Sequence, residues 1–172
     1  MYPCYQKNIV GGRESFPFSW IVGENLLYIA LWGISGYLLW PIWIVAGLPV
    51  LTIIWAILVV VVQILLKKHN CSGCYYYDKW CHLGWGKMAS TLFEQDSGDP
   101  KLGMKLAFFY ILPPPLILIA AIAAGLLKDV SGLYWFMTGV FVVLNGLTFP
   151  IRKTGCGQCA MRKGCPGSAV KT

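Results

Sequence analysis

Charged side chains are scarce in this chain, and several kinds of catalytic site are absent with them. Charged residues make up 12% of the sequence, whereas soluble domains carry about 25%. Residues 25–66 contain no charged residue at all. The sequence also has no GxSxG, HExxH or Walker A pattern, so nothing in it predicts a serine hydrolase, a zinc protease or a P-loop nucleotidase.

Ionisable groups are equally rare within the long apolar segments. The chain has two histidines, His69 and His82, and both lie at the edges of these segments. A haem held between membrane helices by two histidines is therefore not expected. We place Glu24 at the boundary of the first apolar segment. No carboxylate or lysine lies deep within any of these segments. Ion and proton transport usually require such groups inside a span, so a secondary transporter is disfavoured.

What remains is strongly apolar, with 57% hydrophobic residues. A helix needs about 20 apolar residues to cross a bilayer, so the stretch 25–66 is too long for one span and fits two. Residues 106–127 and 133–151 form a second apolar pair around a polar link. We therefore predict an all-α integral membrane protein with four transmembrane helices, arranged as two tandem helical hairpins.

Three consecutive prolines interrupt the third predicted span at positions 113–115. Proline has no N–H and clashes with the preceding turn, so three of them cannot lie inside a regular helix. In one interpretation the helix starts at the prolines, which suit a first turn, and residues 101–112 form an interfacial segment. In the other, the span is broken within the bilayer, which would mark a cavity or binding site.

Basic residues are concentrated outside the predicted hairpins. Of the 14 Lys and Arg residues, only Lys128 lies in a hairpin turn. By the positive-inside rule, both termini and the long loop are expected in the cytoplasm, and the net charge of +7 needs no nucleic acid to explain it. The predicted organisation is an N-terminal interfacial segment (1–24), a transmembrane hairpin (25–66), a cysteine-rich cytoplasmic loop (67–105), a second hairpin (106–151) and a cysteine-rich cytoplasmic tail (152–172).

A cysteine pattern that occurs twice is the most informative feature of the sequence. Lys67-Lys68 after the first hairpin and Arg152-Lys153 after the second each precede a CxxC pair and a third cysteine. Each half thus has two spans, a basic pair and three thiols, which predicts a parallel pseudo-repeat about an axis along the membrane normal. Such an axis would bring together the two cysteine triplets, which are Cys71, Cys74 and Cys81, and Cys156, Cys159 and Cys165.

The repeated triplets point to metal or redox chemistry. Cytoplasmic thiols stay mostly reduced, so CxxC pairs there are expected to bind a metal or to be catalytic rather than to form structural disulfides. Four thiolates suit a tetrahedral zinc ion at about 2.3 Å per bond, and they suit an iron–sulfur cluster equally well. The spacing alone leaves this choice open.

The ligand set is open as well. The two CxxC pairs could share one site between the hairpins, or each half could have its own centre. In the second case His82 or His69 would complete the first triplet, and Cys4 would complete the second. Six thiolates could also hold a two-metal cluster. Six nearby basic residues would offset the negative charge of the thiolates: Lys67, Lys68, Arg152, Lys153, Arg162 and Lys163.

These patterns predict an integral membrane subunit that holds a cysteine-ligated metal centre at the cytoplasmic face, contacts membrane lipid and docks a partner protein. With an iron–sulfur cluster, electron transfer between the partner and a membrane carrier follows; with zinc, the protein is an anchor or assembly factor. Two alternatives are a thiol–disulfide or metal-relay protein and a purely structural anchor with a zinc clamp.

Overall fold

Helices dominate the part of the chain that the computed structural model describes, which is residue 2, residues 9–165 and residues 167–170. The α-helices are α1 (Phe18–Leu39), α2 (Val50–Leu66), α3 (Trp85–Leu92), α4 (Pro100–Ala107), α5 (Pro113–Leu127) and α6 (Gly132–Gly157).

Four helical stretches are long and apolar enough to cross a membrane, as the sequence predicts. They are Phe18–Leu39, Val50–Cys71, Pro100–Leu127 and Gly132–Gly157. Large apolar side chains are exposed along all four, among them Leu26, Ile57, Ile119 and Phe136. Helices that are apolar on their outer face as well as their inner face are typical of membrane spans. The pseudo-repeat and the cytoplasmic placement of the termini stay predictions.

Helix α1 begins earlier than the sequence predicts. Pro17 holds the extended position before the helix, and Phe18 is its first residue. Residues 18–24, expected in an interfacial segment, are therefore helical. As a consequence Glu24 lies inside α1 rather than at its boundary, and it is buried.

The turn of the first hairpin contains a two-stranded antiparallel ribbon, which departs from the all-helical prediction. Strand β1 (Ile44–Val45) pairs with β2 (Leu48–Pro49) across Ala46 and Gly47. Both turn residues have positive φ, 50° for Ala46 and 79° for Gly47. Two left-handed residues in a two-residue turn match the twist of paired strands, so the ribbon forms although Ala46 is a poor residue for that conformation.

The second span does not stop at the basic pair. After α2 the chain continues as one π-helical turn, Lys67–Cys71, in which the N–H of Ser72 bonds the carbonyl of Lys67 at 3.1 Å. Single π-turns in helices are rare and frequently occur at functional sites. Here the turn carries the first cysteine directly on the end of a spanning helix.

The third span is built from two helices and an irregular link. Asp99 caps α4 by accepting the N–H of Lys101 at 2.8 Å. A 3₁₀ turn, Phe108–Tyr110, follows, and α5 then begins at Pro113. The prolines therefore start a helix, because their missing N–H groups would be unpaired in a first turn anyway.

Helix α1 is central to the bundle and packs on α2, α5 and α6. Leu38 of α1 and Ala121 of α5 are fully buried in this core. The hydroxyl of Tyr134 on α6 donates to the carbonyl of Leu38 at 2.9 Å, which fixes the last helix against the first. Ala121 and Ala124 are buried on α5, and such small residues permit close helix approach.

Candidate metal centre

All six cysteines of the two triplets line one cavity at a single end of the bundle. The cavity has a volume of about 870 Å³, including space open to solvent. All six are free thiols. Cys156 and Cys159 are buried, whereas the other four are half-buried because they border the cavity.

The first triplet follows directly from the end of α2. Cys71 closes the π-turn, and the N–H of Cys74 donates to the carbonyl of Cys71 at 3.2 Å. This tight turn holds the CxxC pair on one side of the chain. Cys81 precedes Gly84, whose N–H donates to the carbonyl of Cys81 at 2.8 Å and whose positive φ of 71° starts α3.

The second triplet repeats this construction at the end of α6. Cys156 lies in the last turn of the helix, and the N–H of Cys159 donates to its carbonyl at 3.0 Å. The N–H of Cys165 then donates to the carbonyl of Met161 at 2.8 Å. In both triplets a spanning helix therefore supplies the first cysteine and a tight turn supplies the second.

Cys165 connects the two triplets. Its thiol interacts electrostatically with Cys71 and Cys74 of the first triplet and with Cys156 and Cys159 of its own. An interaction with Cys81 completes the set. The cavity is thus a joint product of both halves of the chain, and Cys165 lies where they meet.

Backbone amides point at several of the sulfurs. The N–H of Met161 donates to Sγ of Cys159 at 3.4 Å, and the amides of Tyr76 and Gly167 act on Cys74 and Cys165 to lower their pKa. In each case the donor lies two residues after the cysteine. N–H···S bonds of this kind stabilise a thiolate and tune metal–sulfur centres.

Burial outweighs these bonds in the free thiols. It raises the pKa of Cys159 to about 12, and it raises the pKa of Cys165 and, to a greater extent, that of Cys74. The desolvated thiolates therefore need a cation to offset their charge.

His82 is held against the cavity by a buried carboxylate. Its Nδ1 lies 2.8 Å from Oε2 of Glu24, and that oxygen also accepts the indole N–H of Trp20 at 3.1 Å. The imidazole also bonds the Cys156 thiol. Burial lowers the pKa of His82, but the bonds to Cys156 and Glu24 outweigh it and raise the pKa to about 10. The sequence offered no sign of this pairing, because Glu24 and His82 are 58 positions apart.

Three of the six predicted basic residues reach the centre. Arg152 and Arg162 line the cavity. Lys67 is buried, interacts electrostatically with Cys71 and lies 4.8 Å from the ring centroid of Trp85. Lys68, Lys153 and Lys163 do not line the cavity.

One further ligand candidate, His69, is not brought to the cavity. Nδ1 of His69 accepts the N–H of Asp99 at 2.9 Å, and His69 is not among the lining residues. Cys4 lies outside the described residues. Within the described part of the chain, no three His, Cys, Asp or Glu side chains converge as ligands of a single metal ion. The cysteines line a cavity and do not converge on a single position.

The N-terminal segment covers one side of the cysteine turns. The N–H groups of Val10 and Arg13 donate to the carbonyls of Ala160 and Gln158 at 3.0 and 2.9 Å. Gly12 permits this approach, because a Cβ there would lie 2.5 Å from the nitrogen of Ala160. The segment, the 67–105 loop and the tail thus share one apolar cluster, which the sequence reading missed because its members are far apart in the chain.

Comparisons with known proteins give no relative: no protein-family model, no curated protein and no solved structure matches this chain.

Proposed function

We propose that this chain is an integral membrane electron-transfer subunit whose cysteine triplets hold an iron–sulfur cluster at the cytoplasmic face. The observation that carries the proposal is the arrangement of six free thiols around one cavity at the end of four apolar helices. Thiolate ligation, amide N–H···S bonds and burial are the features by which proteins bind such clusters and set their potentials.

The geometry favours a cluster over a single zinc ion. Four sulfurs at about 2.3 Å from one zinc ion lie about 3.8 Å from each other, so a zinc site brings its ligands to a point. The described cysteines instead line a cavity, and no three of their side chains converge as ligands of a single ion. The ligands of a cluster of several iron and sulfide ions lie farther apart than those of one zinc ion.

The charges around the cavity suit an anionic cluster. Arg152 and Arg162 line it, and the buried Lys67 interacts with Cys71. A buried anion is stable only when it is paired or hydrogen-bonded, and these cations together with the amide donors at Cys74, Cys159 and Cys165 meet that need.

A bound cluster would supply one-electron chemistry. The chain's own residues would shield it from water and bind the partner protein. The aromatic shell of Phe16, Trp20 and Tyr76 packs against the cysteine turns and limits water. Lysines at the same end, including Lys79, Lys101 and Lys163, are exposed. They offer a basic surface to a soluble electron-carrier protein with an acidic face.

The test is metal and acid-labile sulfide analysis of anaerobically purified protein, with its visible spectrum before and after dithionite. We expect iron and sulfide in comparable amounts and a visible absorption that bleaches on reduction. Cys165→Ser should lose most of both, because Cys165 lines the cavity and interacts electrostatically with cysteines of both triplets. His69→Asn is the matched control and should keep both, because His69 only accepts an amide outside the cavity.

Other results would contradict the proposal. Stoichiometric zinc without sulfide would make the centre a structural clamp. Metal-free protein whose six thiols all react with a maleimide would instead favour thiol exchange.

A further inference from the structure

A second cavity, of about 470 Å³, lies among the spanning helices. All four contribute to its wall, with Ser35 from α1, Trp55 from α2, Ile117 from α5 and Asn145 from α6. That volume includes space open to the surroundings. Because its walls belong to membrane-spanning segments, a ligand would have to be soluble in lipid.

Flat aromatic rings form much of the wall. Tyr28 and Trp32 stack with ring centroids 5.9 Å apart, and Trp55 and Phe109 stack at 5.5 Å. Both pairs line the cavity, and Tyr110 meets Tyr28 edge-on at 5.6 Å. Stacked rings of this kind present flat faces, which suit a planar ring better than a flexible acyl chain.

A few polar groups face the same space. Asn145 lines the cavity, and its amide uses one N–H on the carbonyl of Phe141 at 2.8 Å, which leaves a second donor. Nε of Arg152 is buried and has no hydrogen-bond partner among the described residues. An acyl chain would leave both donors unpaired at a cost of about 1–3 kcal/mol each, whereas a carbonyl-bearing ring would accept them.

The proline triplet contributes acceptors. Residues 113–115 have no N–H, so the carbonyls of residues 109–111 lack the donors that a continuous helix would supply. Irregular backbone at membrane depth is tolerated where it is buried in protein or lines a cavity, and Phe109, Tyr110 and Pro113 line this one. The site therefore combines donors for a carbonyl with acceptors for a hydroxyl.

The two cavities are neighbours. Tyr110 and Arg152 line both the cysteine cavity and the second cavity. The guanidinium carbon of Arg152 lies 5.8 Å from the ring centroid of Tyr110. One arginine and one phenol thus separate the thiols from the space between the helices.

We propose that the second cavity binds the head group of a lipid-soluble quinone. The stacked rings hold the quinone ring, Asn145 and Arg152 donate to its carbonyls, and the freed backbone carbonyls accept from the reduced form. Its role as electron acceptor rests on the function proposed above. A cluster held by the cysteines of the first cavity would supply the two electrons one at a time, drawn from the soluble carrier protein, and two protons from water would complete the quinol.

Binding can be tested without the cluster. The probe is decyl-benzoquinone, titrated into metal-depleted protein in detergent while tryptophan fluorescence is recorded, since Trp32 and Trp55 line the cavity. We expect saturable quenching with one site per chain. Asn145→Leu should weaken binding roughly 2–10-fold, the loss of one hydrogen bond. Thr154→Val, an exposed position on the same helix, is the control and should bind like the wild type.

Several results would overturn the inference. These are quenching that never saturates, equal binding by Asn145→Leu, or displacement of the quinone by a phospholipid at equal concentration. The outcome is independent of the metal analysis. If the protein contains iron and sulfide but binds no quinone, only the quinone site is disproved. If it binds quinone but never contains a cluster, the quinone site stands and its proposed electron donor is disproved.

Discussion

The phenol oxygen of Tyr76 accepts the backbone N–H of Ala160 at 3.0 Å, across 84 positions of sequence. The same hydroxyl donates to the carbonyl of Arg13. Tyr76 is 1% exposed, and its bond to Ala160 is buried, whereas its bond to Arg13 is partly buried. One side chain in the loop of the first triplet therefore holds together the N-terminal segment and the turn of the second triplet.

Tyr76→Phe tests this connection. The variant keeps the ring but leaves the buried N–H of Ala160 unpaired, at a cost of about 1–3 kcal/mol. We expect a lower melting temperature in detergent and faster maleimide labelling of metal-free protein. Tyr77→Phe serves as a comparison, since that hydroxyl makes a single bond, to the carbonyl of Phe93 at 2.9 Å. Equal effects in the two variants would argue against a special role for Tyr76.

Gly12→Ala tests the close approach of the N-terminal segment to the tail. A Cβ at Gly12 would lie 2.5 Å from the nitrogen of Ala160, whereas one at Gly11 would meet nothing within 4 Å. We expect Gly12→Ala to separate the N-terminal segment from the tail and to lower the free energy of unfolding by about 1–3 kcal/mol, the usual penalty of overpacking. Gly11→Ala should behave like the wild type. The measurement is thermal unfolding of both variants, and a stable Gly12→Ala protein would contradict this packing.

Asp78 provides a test of pH dependence. Its carboxylate accepts from Lys87 Nζ at 2.7 Å and from Ser90 Oγ at 2.8 Å, and these bonds lower the pKa of Asp78 below its ordinary value of 3.8. The stability that they add is present above that ordinary value and is lost as the pH falls through the lower pKa of the folded state. The melting temperature of Asp78→Asn should be slightly lower than that of the wild type at neutral pH.

At pH values well below 3.8 that difference should vanish, because the wild-type carboxyl is then protonated. Melting curves of the two proteins at a series of pH values provide the comparison. A difference that stays constant into acid would show that Asp78 acts through its shape. Backbone strain would not contribute to such a difference, since Asp78 has a positive φ of 63°, which asparagine also tolerates.

Lys128 connects the two hairpins at the end opposite the cysteines. Its ammonium donates to the carbonyl of Ile42 at 3.0 Å and also to that of Pro41. Lys128→Met should lower the melting temperature modestly, because the site is exposed and such bonds contribute less than about 1 kcal/mol there. Lys128→Arg retains the charge and the donors and should preserve most of the stability. A larger loss in the arginine variant than in the methionine variant would contradict the assignment.

Hydropathy predicted the four spans because a helix in lipid must be apolar along its whole length, so the signal is local and strong. The boundaries depend on finer features. Pro17 sets the start of α1, and the start of α5 at Pro113 follows from the chemistry of proline. The ribbon in the first turn has no Asn-Gly signal, only Ala46-Gly47, and it was therefore not predicted.

The site was predictable in its parts but not in its assembly. The repeated CxxC pair followed by a third cysteine marked the two triplets as one system, and the cavity includes all six of those cysteines. The sequence alone could not exclude His69 as a metal ligand. Its role as acceptor of the Asp99 N–H depends on the fold of the chain between the two residues. The burial of Glu24 against His82 likewise depends on a contact between distant segments, which no local pattern records.

The walls of the cysteine cavity come from two distant segments of the polypeptide, and this imposes an order on biosynthesis. Cys71 is synthesised early, at the end of the second helix, but Cys165 and Gly167 complete the wall almost 100 residues later. The cavity therefore cannot close on its contents until translation has passed both hairpins and the fourth helix has been inserted. Any metal that it holds must be delivered to a finished chain, by a loading step that comes after membrane integration.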